Sequence, residues 1–453
     1  MGVTLPDEAL PPSLLAPETR QIAVGTTALI SLFAVEYIAV GTAMPTVARA
    51  LDGLGLYALA FSATIAASVI GMILGGWWSD RSGPRAVLVA GAATFAAGLL
   101  AAGLSPSMEL FVTARGLQGL GSGMAIVAIY VVIAQGIPDE LRPQMFSLLA
   151  AAWIVPGLLG PVLTGVVVEH AGWRWVFLGV APLVVLSMAV LLPALGRTEP
   201  SEDAAHLGVP TIFWAVLAAL SVGVLNLGGE SISERDVLIG LPFAIALGVA
   251  AWALLPPGTL TLGRGLPSVI AARGAIGASF MAAEAYLPLL LQDLHGYSPA
   301  QAGGALAVGA VTWAGGSWLQ GRLGGAVDRV RVMVSGCSVI LLGTGLLFTA
   351  IGLGWPGWTL LVIWGITQGG VGLAYPTTSL MTMRLSTPEE LGRNSSSLQV
   401  SEALASAVAL AAVGAVFTAL YAGSMQAAFL AVAGASVLAG MAAVATSARS
   451  RPA

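Results

Sequence analysis

Apolar residues run along this chain in long stretches, separated by polar segments of about five to a dozen residues. A helix needs about 20 apolar residues to cross the hydrocarbon core of a bilayer. The pattern therefore predicts an all-α membrane protein with fourteen transmembrane helices, at about 22–45, 57–78, 86–105, 109–136, 145–168, 175–196, 210–228, 237–256, 267–292, 300–321, 333–353, 358–383, 396–421 and 426–446.

The central pair of helices is the least secure of these predictions, because only a short polar hairpin, Gly229 to Asp236, separates its members. Twelve spans are the alternative. With fourteen, the predicted organisation is a tail at 1–20, a six-helix bundle at 21–196, two extra helices within 209–257, a second six-helix bundle at 266–447 and a tail at 448–453.

Arginine positions predict the direction of the helices. If the N-terminus is cytoplasmic, thirteen arginines fall in cytoplasmic segments and only three, Arg49, Arg174 and Arg235, fall outside. Basic residues concentrate on the cytoplasmic side of membrane proteins. The bias predicts a multi-pass protein of the plasma (inner) membrane with both termini cytoplasmic, and it is equally compatible with twelve spans.

The amino-acid composition limits the kinds of reaction and energy source that this protein can use. The chain is 57% hydrophobic and 9% charged, and all 18 of its basic residues are arginine. Without lysine it cannot form the phosphate loop of an ATP-driven pump, which needs a lysine against the phosphates. The three histidines lie in or beside loops, and Cys337 is the single cysteine. We expect no cofactor, no metal and no enzymatic activity. The expected partners are the lipid bilayer, protons and a small-molecule substrate, with no nucleic acid. The protein should be a monomer.

The two halves of the chain resemble each other at a nearly constant offset. Phe33-Ala-Val-Glu36 matches Phe280-Met-Ala-Ala-Glu284, with an offset of 248 residues between the glutamates. Asp80-Arg81 matches Asp328-Arg329 at an offset of 248, and Gln118-Gly119 matches Gln368-Gly369 at 250. Three such sequence matches on corresponding helices predict two related six-helix bundles. Chance similarity between helices rich in glycine and alanine is the alternative.

Several segments match a known set of motifs. Gly76-Trp-Trp-Ser-Asp80-Arg81-Ser-Gly83-Pro-Arg85 resembles the loop between helices 2 and 3 of the major facilitator superfamily, with a departure at Pro84. Arg115-Gly-Leu-Gln118-Gly119-Leu-Gly121 resembles its fourth-helix motif. Gly160-Pro161-Val-Leu-Thr-Gly165 resembles its antiporter motif in helix 5, with a departure at Thr164.

Two more segments resemble one branch of that superfamily, the fourteen-span drug:proton antiporters. The first-helix segment from Glu36 to Pro45 is similar to a motif of that family, which often has Asp where Glu36 stands, and Trp173-Arg174-Trp175-Val-Phe177 resembles a mark of the fourteen-span branch. The resemblance implies alternating access by two rocking bundles and export of amphipathic molecules or drugs in exchange for protons. The charges of the loop between helices 2 and 3 also predict an ion-pair latch of Asp80 with Arg81 and Arg85, which breaks as the cytoplasmic side opens. A solvated basic anchor is the alternative.

Ionisable residues inside the membrane are functional candidates, because a charge at a helix centre costs roughly 2.5 to 3.5 kcal/mol. Our proton-coupling candidates are Glu36, ranked first, then Glu284, with Arg115 as a helper and Glu402 as a residue that could instead reach the interface. Arg273 is expected to be structural. A substrate cavity is predicted to be lined by Tyr37, Gln118, Trp153, Tyr286, Trp364 and Gln368, although these aromatic residues could instead face lipid.

Other functions use the same fold. A proton-coupled nutrient symporter differs only in direction, and an exporter of lipids or of an endogenous metabolite differs only in substrate. A membrane-embedded enzyme or sensor is the least favoured alternative, since the sequence offers neither a catalytic cluster nor an output domain.

Overall fold

The computed structural model describes residues 14–197, 209–225, 234–323, 327–387 and 390–451. His206 and most of the predicted hairpin from Gly229 to Asp236 lie outside them, as does most of the predicted tail at 1–20. Helices α1 to α14 run through the described residues: Arg20–Ala50, Tyr57–Ser82, Pro84–Gly103, Met108–Gly136, Arg142–His170, Arg174–Leu195, Val209–Leu225, Glu234–Leu254, Leu266–His295, Pro299–Leu323, Arg329–Gly352, Gly357–Leu385, Leu391–Tyr421 and Met425–Ala448.

The fourteen helices confirm the predicted fold class and, with it, the fourteen-helix alternative over the twelve-helix one. Eleven of them are long and apolar enough to cross a membrane; α7 and α8 contain shorter apolar stretches, Phe213–Leu225 and Gly240–Leu254. Helix α10 falls outside both groups because its glycines lower its mean hydropathy. Helix α6 is interrupted at Gly179, which separates Arg174–Leu178 from Val180–Leu191.

The helices form two bundles of six, with α7 and α8 between them in the chain. In the first bundle α4 packs against α2 and α3, and α1 packs against α5 and α6. In the second, α12 packs against α10 and α11, and α9 packs against α13 and α14. Glycines allow these close contacts: a Cβ at Gly119 would lie 2.1 Å from the Thr64 carbonyl oxygen, and one at Gly336 would lie 2.8 Å from that of Gly370.

The bundles meet along two seams, α5 with α10 and α2 with α13. We call the side of the molecule with Arg20 and Ala448 the inner side, and the side with Ala50 and His295 the outer side. Short connections link α2 to α3 on the inner side, where Gly83 has φ 75°, a value that favours glycine, and Pro84 begins α3.

Candidate functional site

A cavity lies between the bundles near the middle of the helices. The space inside it is small, about 20 Å³, so the cavity is nearly closed in this conformation. Four polar side chains line it, Tyr37 from α1, Thr64 from α2, Arg115 from α4 and Glu284 from α9; the other lining residues are Ile38, Gly41, Phe61, Ile65, Met281, Ala285 and Leu306. A mainly apolar wall with a few polar groups is typical of small-molecule sites.

On the first bundle's side of the cavity, Glu36 and Arg115 form a buried ion pair. Their side chains are 5% and 2% exposed. The same guanidinium bonds the Gln118 side-chain oxygen, and its Nε donates to the Ala60 carbonyl at 3.2 Å. Gln118 in turn donates to the Gly98 carbonyl at 3.2 Å. This network ties α1, α2, α3 and α4 together and leaves the arginine well supplied with acceptors.

The second bundle presents a carboxyl with no cationic partner. Glu284 accepts a hydrogen bond from Gln368 Nε2 at 2.9 Å, and among the ion pairs of the described residues none includes Glu284. The repeat explains this difference: at the offset of 250 residues that relates Gln118 to Gln368, Gly365 stands where Arg115 would be. Each bundle therefore places an acid from its first helix beside a glutamine from its fourth, but only the first bundle adds an arginine.

A second charged cluster lies in the second bundle, closer to the inner side. Arg273 on α9 is 3% exposed, and its Nε donates to Glu402 Oε2 at 2.8 Å. Tyr375 donates its hydroxyl to the same carboxylate at 2.9 Å, and the guanidinium lies 3.1 Å from the tyrosine ring centroid. Further bonds to Thr378 and Gln399, at 3.0 and 3.2 Å, complete the cluster. Arg273 and Tyr375 thus hold Glu402, whose side chain is 19% exposed.

The other predicted cavity residues occupy different surroundings. Trp153 is 42% exposed, and its ring lies 6.1 Å from that of Tyr37. Tyr286 and Trp364 are each 1% exposed and pack in the interior, Tyr286 against Tyr57 and Phe417. The Trp364 indole nitrogen and the Gln368 side-chain oxygen are buried without a hydrogen-bond partner. Gln118 acts through Arg115 and does not line the cavity wall.

The predicted latch residues lie at the inner ends of α2 and α3. Gly76, Asp80 and Arg81 lie on α2, and Arg85 follows at the start of α3. The Arg81 guanidinium lies 4.7 Å from the Trp77 ring centroid. Within the described parts of the chain, Asp80 forms no ion pair with either arginine.

The helix 5 motif lies on the seam between the bundles. A Cβ at Gly165 would lie 2.3 Å from the Ala300 Cα on α10, whereas one at Gly160 would lie 3.6 Å from Ile38 Cγ2. Pro161 lies inside α5, and its carbonyl oxygen contacts Gly303. The motif therefore allows α5 and α10 to touch at backbone distance, which small residues permit between membrane helices.

Polar contacts on the outer side join the two bundles, and sequence reasoning missed them. Arg49 forms an ion pair with Asp293 and donates to Gln292 at 2.9 Å, while Tyr421 donates to the other Asp293 oxygen at 2.5 Å. The Glu169 carboxylate accepts a bond from the Ala300 backbone N–H at 2.9 Å. The one available signal was that Arg49 is an outer arginine, which the positive-inside rule makes uncommon.

These features define a polytopic membrane transporter: two related helical bundles, joined on one side, with a cavity between them that holds a few ionisable groups. The chain belongs to the Major Facilitator Superfamily, whose family model matches residues 26–410. It is a transporter rather than an enzyme.

Relatives and solved structures agree with this assignment. A probable multidrug-efflux transporter of Mycobacterium tuberculosis is 26% identical over 423 residues, which cover 88% of each protein. The multidrug transporter protein MdtP of Bacillus subtilis is 24% identical over 408 residues, 87% of this chain and 75% of that protein.

Among solved structures, an auto-inhibited POT family peptide transporter matches with a TM-score of 0.69 at 18% identity, covering 96% of this chain and 98% of that one. A D-xylose-proton symporter matches with a TM-score of 0.62 at 17% identity, covering 94% and 97%. At these identities the likeness shows the fold alone.

Proposed function

We propose that this protein exports amphipathic small molecules or drugs in exchange for protons. The observation that carries the proposal is the unpaired Glu284 carboxyl in the cavity wall. An ionised carboxylate without a cationic partner is costly inside a membrane protein, so this group is more stable as the neutral acid. A proton taken up here neutralises the cavity, and its release leaves a negative charge there.

Glu36 and Arg115 supply the second part of the coupling site. Because Arg115 neutralises Glu36 in this conformation, the geometry favours Glu284 over Glu36 as the first proton carrier, the reverse of the ranking drawn from sequence. An arginine stays charged, so any movement that separates it from Glu36 makes that carboxylate easier to protonate. We assign Glu402 a supporting role, because Arg273 and Tyr375 already satisfy it.

The proposed cycle is alternating access by the units 21–196 and 266–447. The contacts of Arg49 and Glu169 join the bundles on the outer side in this conformation, and among the described residues Asp80 forms no ion pair with its predicted arginine partners on the inner side. When the inner side closes, Asp80 would pair with Arg81 or Arg85 and the outer contacts would break. We place the inner side in the cytoplasm on the strength of the arginine bias. We further propose that the protein acts as a monomer in the plasma membrane.

Export rather than import is supported by the helix 5 motif around Pro161 and by the multidrug names of two relatives. The fold itself does not choose between the two directions, since antiporters and symporters share it.

Reconstituted vesicles test the proposal. A panel of amphipathic dyes and antibiotics should be transported across the vesicle membrane only when a pH gradient is imposed. Glu284→Gln should abolish this coupling while keeping the protein folded. Glu109→Gln, the same change at an exposed position at the outer end of α4, should transport normally. Coupled transport by Glu284→Gln at the normal rate would refute the role of Glu284. Movement of the substrate in the same direction as the protons would indicate a symporter.

A further inference from the structure

A pocket at the inner end of the second bundle lies apart from the transport cavity. It is formed where α11 begins and α12 ends, and its volume is about 290 Å³. Small-molecule sites have volumes of about 300 to 1,000 Å³, so this pocket is close to the lower end of that range. Its lining combines three charged residues, Asp328, Arg329 and Arg384, with apolar side chains that include Val330 and Met381. We call it the α11/α12 pocket.

The acid in the pocket wall is already engaged by other groups. The Asp328 carboxylate accepts a hydrogen bond from the Val330 backbone N–H at 3.1 Å and another from the Arg451 guanidinium at 2.7 Å. Arg451 does not line the pocket, so the charge of Asp328 is neutralised from outside it. The ion pairs of the described residues include neither Arg329 nor Arg384.

Arg329 carries the main evidence for a ligand. Its Nε and Nη1 atoms are buried, and neither has a hydrogen-bond partner among the described residues. A guanidinium is always charged and has only donors, so burying two of its nitrogens without an acceptor is costly. Buried polar groups in folded proteins are nearly always hydrogen-bonded. The orphan nitrogens therefore indicate an acceptor that the described part of the chain does not supply.

The matching arginine of the first bundle is placed differently. Arg81 corresponds to Arg329 at the offset of 248 residues, and its guanidinium lies 4.7 Å from the Trp77 ring centroid. Among the described residues no aromatic ring lies under the Arg329 guanidinium. The pocket and its unpartnered arginine are thus a feature of the second bundle and not a consequence of the repeat.

The charge in the pocket is positive. Arg384 lies exposed in the last turn of α12 and adds a second guanidinium to that of Arg329. The start of α11 contributes a partial positive charge and the end of α12 a partial negative one, and these offset each other. The two arginines therefore set the sign of the field. Arginine donors match the oxygens of a phosphate group, and the apolar side chains offer a surface for the carbon atoms attached to it.

We propose that the α11/α12 pocket binds a phosphate group on the inner side of the membrane, held by Arg329 and Arg384. Two kinds of molecule carry such a group there, the headgroup of an anionic phospholipid and a soluble phosphate ester. Both helices belong to the second bundle, so rocking of the two bundles leaves the pocket intact and the ligand stays bound throughout a transport cycle. The site is therefore independent of proton coupling.

Binding to the purified protein tests the site with two probes. The first is radiolabelled inorganic phosphate, measured by equilibrium dialysis in a detergent that contains no phosphate. The second is phosphatidylglycerol in micelles of the same detergent, counted on the protein by native mass spectrometry, with diacylglycerol as the matching lipid that lacks the phosphate. Binding of inorganic phosphate alone identifies a soluble ligand, and binding of phosphatidylglycerol alone identifies a lipid headgroup; either result supports the site when it depends on Arg329.

Substitutions of neighbouring arginines separate the pocket from the basic surface around it. Arg329→Gln should weaken binding of the probe about tenfold or more, because a charge-assisted contact is lost. Arg384→Gln should weaken it by a smaller factor, since an exposed charge is screened by solvent. Arg331→Gln is the matched control: Arg331 is exposed at the same helix end but does not line the pocket, so the same loss of charge should leave the affinity nearly unchanged.

Thermal unfolding gives a second readout, because a ligand that binds only the folded protein raises its unfolding temperature. The probe that binds should stabilise the wild type and Arg331→Gln but not Arg329→Gln. Three results would overturn the proposal: a wild type that binds neither probe, an Arg329→Gln protein that binds as tightly as the wild type, or equal weakening by Arg331→Gln. Should Arg329→Gln fail to fold, Arg384→Gln repeats the comparison at an exposed position.

Discussion

Removing the Glu36 carboxylate should destabilise the protein, because it leaves the buried Arg115 without its carboxylate partner. The Arg115 side chain is 2% exposed, and Glu36 is its one carboxylate partner among the ion pairs of the described residues. Breaking a buried pair from one side costs about 3 to 5 kcal/mol, because a charge is left uncompensated. We expect a loss of this size for Glu36→Gln, since an arginine stays charged at any attainable pH.

The reverse substitution should cost less. In Arg115→Gln the remaining carboxyl can take up a proton and become neutral, which limits the penalty. In the double variant Glu36→Gln/Arg115→Gln no charge remains, and two amides of similar shape can bond each other and Gln118. We therefore expect most of the stability to return, so that the two single losses are strongly non-additive.

Thermal unfolding of the purified protein in detergent, followed by intrinsic tryptophan fluorescence, measures this double-mutant cycle. Glu109→Gln is the control for the amide substitution itself and should unfold like the wild type, because Glu109 is exposed. A Glu36→Gln protein with the wild-type unfolding temperature would refute the reasoning, as would a double variant whose loss equals the sum of the two single losses.

Three further predictions concern other parts of the molecule. Gly165→Leu should prevent closure of the outer side, because its Cβ would lie 2.3 Å from Ala300 Cα, while Gly160→Ala should be tolerated at 3.6 Å from Ile38; thiol accessibility at the outer helix ends in the Cys337→Ala background measures both. Asp293→Asn should shift the equilibrium toward the outward-open form only a few-fold, because the Arg49 side chain is 43% exposed and such pairs are worth about 1 kcal/mol or less, measured by the same accessibility assay. The backbone N–H of Val330 holds the pKa of the Asp328 carboxyl below its usual range, so Asp328→Ala should lower stability. The stability difference from wild type should be full above the ordinary aspartate pKa and should shrink as pH falls through the lowered one. Unfolding temperatures measured across roughly pH 3 to 7, the carboxylate range, test this.

The helices and their number could be predicted from sequence because a membrane span is a local property. About twenty apolar residues suffice to define one, and every predicted stretch is a helix as far as the described residues extend, within a few residues at most ends. The larger differences arise where polar residues extend a helix beyond the hydrocarbon. Helix α1 continues to Ala50 through Arg49, and α13 begins at Leu391, ahead of the predicted start at about 396.

Candidate residues could also be chosen from sequence, because burying a charge is costly wherever it occurs along a helix. Glu36, Glu284, Arg115, Arg273 and Glu402 were all identified in this way. Their pairing was not predictable, since it depends on which helices face each other. Arg273 could have matched either acid of its half, and only packing places it against Glu402 and Tyr375.

The sequence alone determined what is local: apolar length, the sign and position of charges, and the small residues that let helices approach closely. The tertiary structure decided what depends on neighbours. It joined Glu36 to Arg115, placed a glutamine but no cation of the described residues beside Glu284, and packed α7 against both helices of one seam. The physical reason is that the cost of a buried charge belongs to one residue, whereas relief of that cost requires a second residue that only the packing of distant helices can bring within reach.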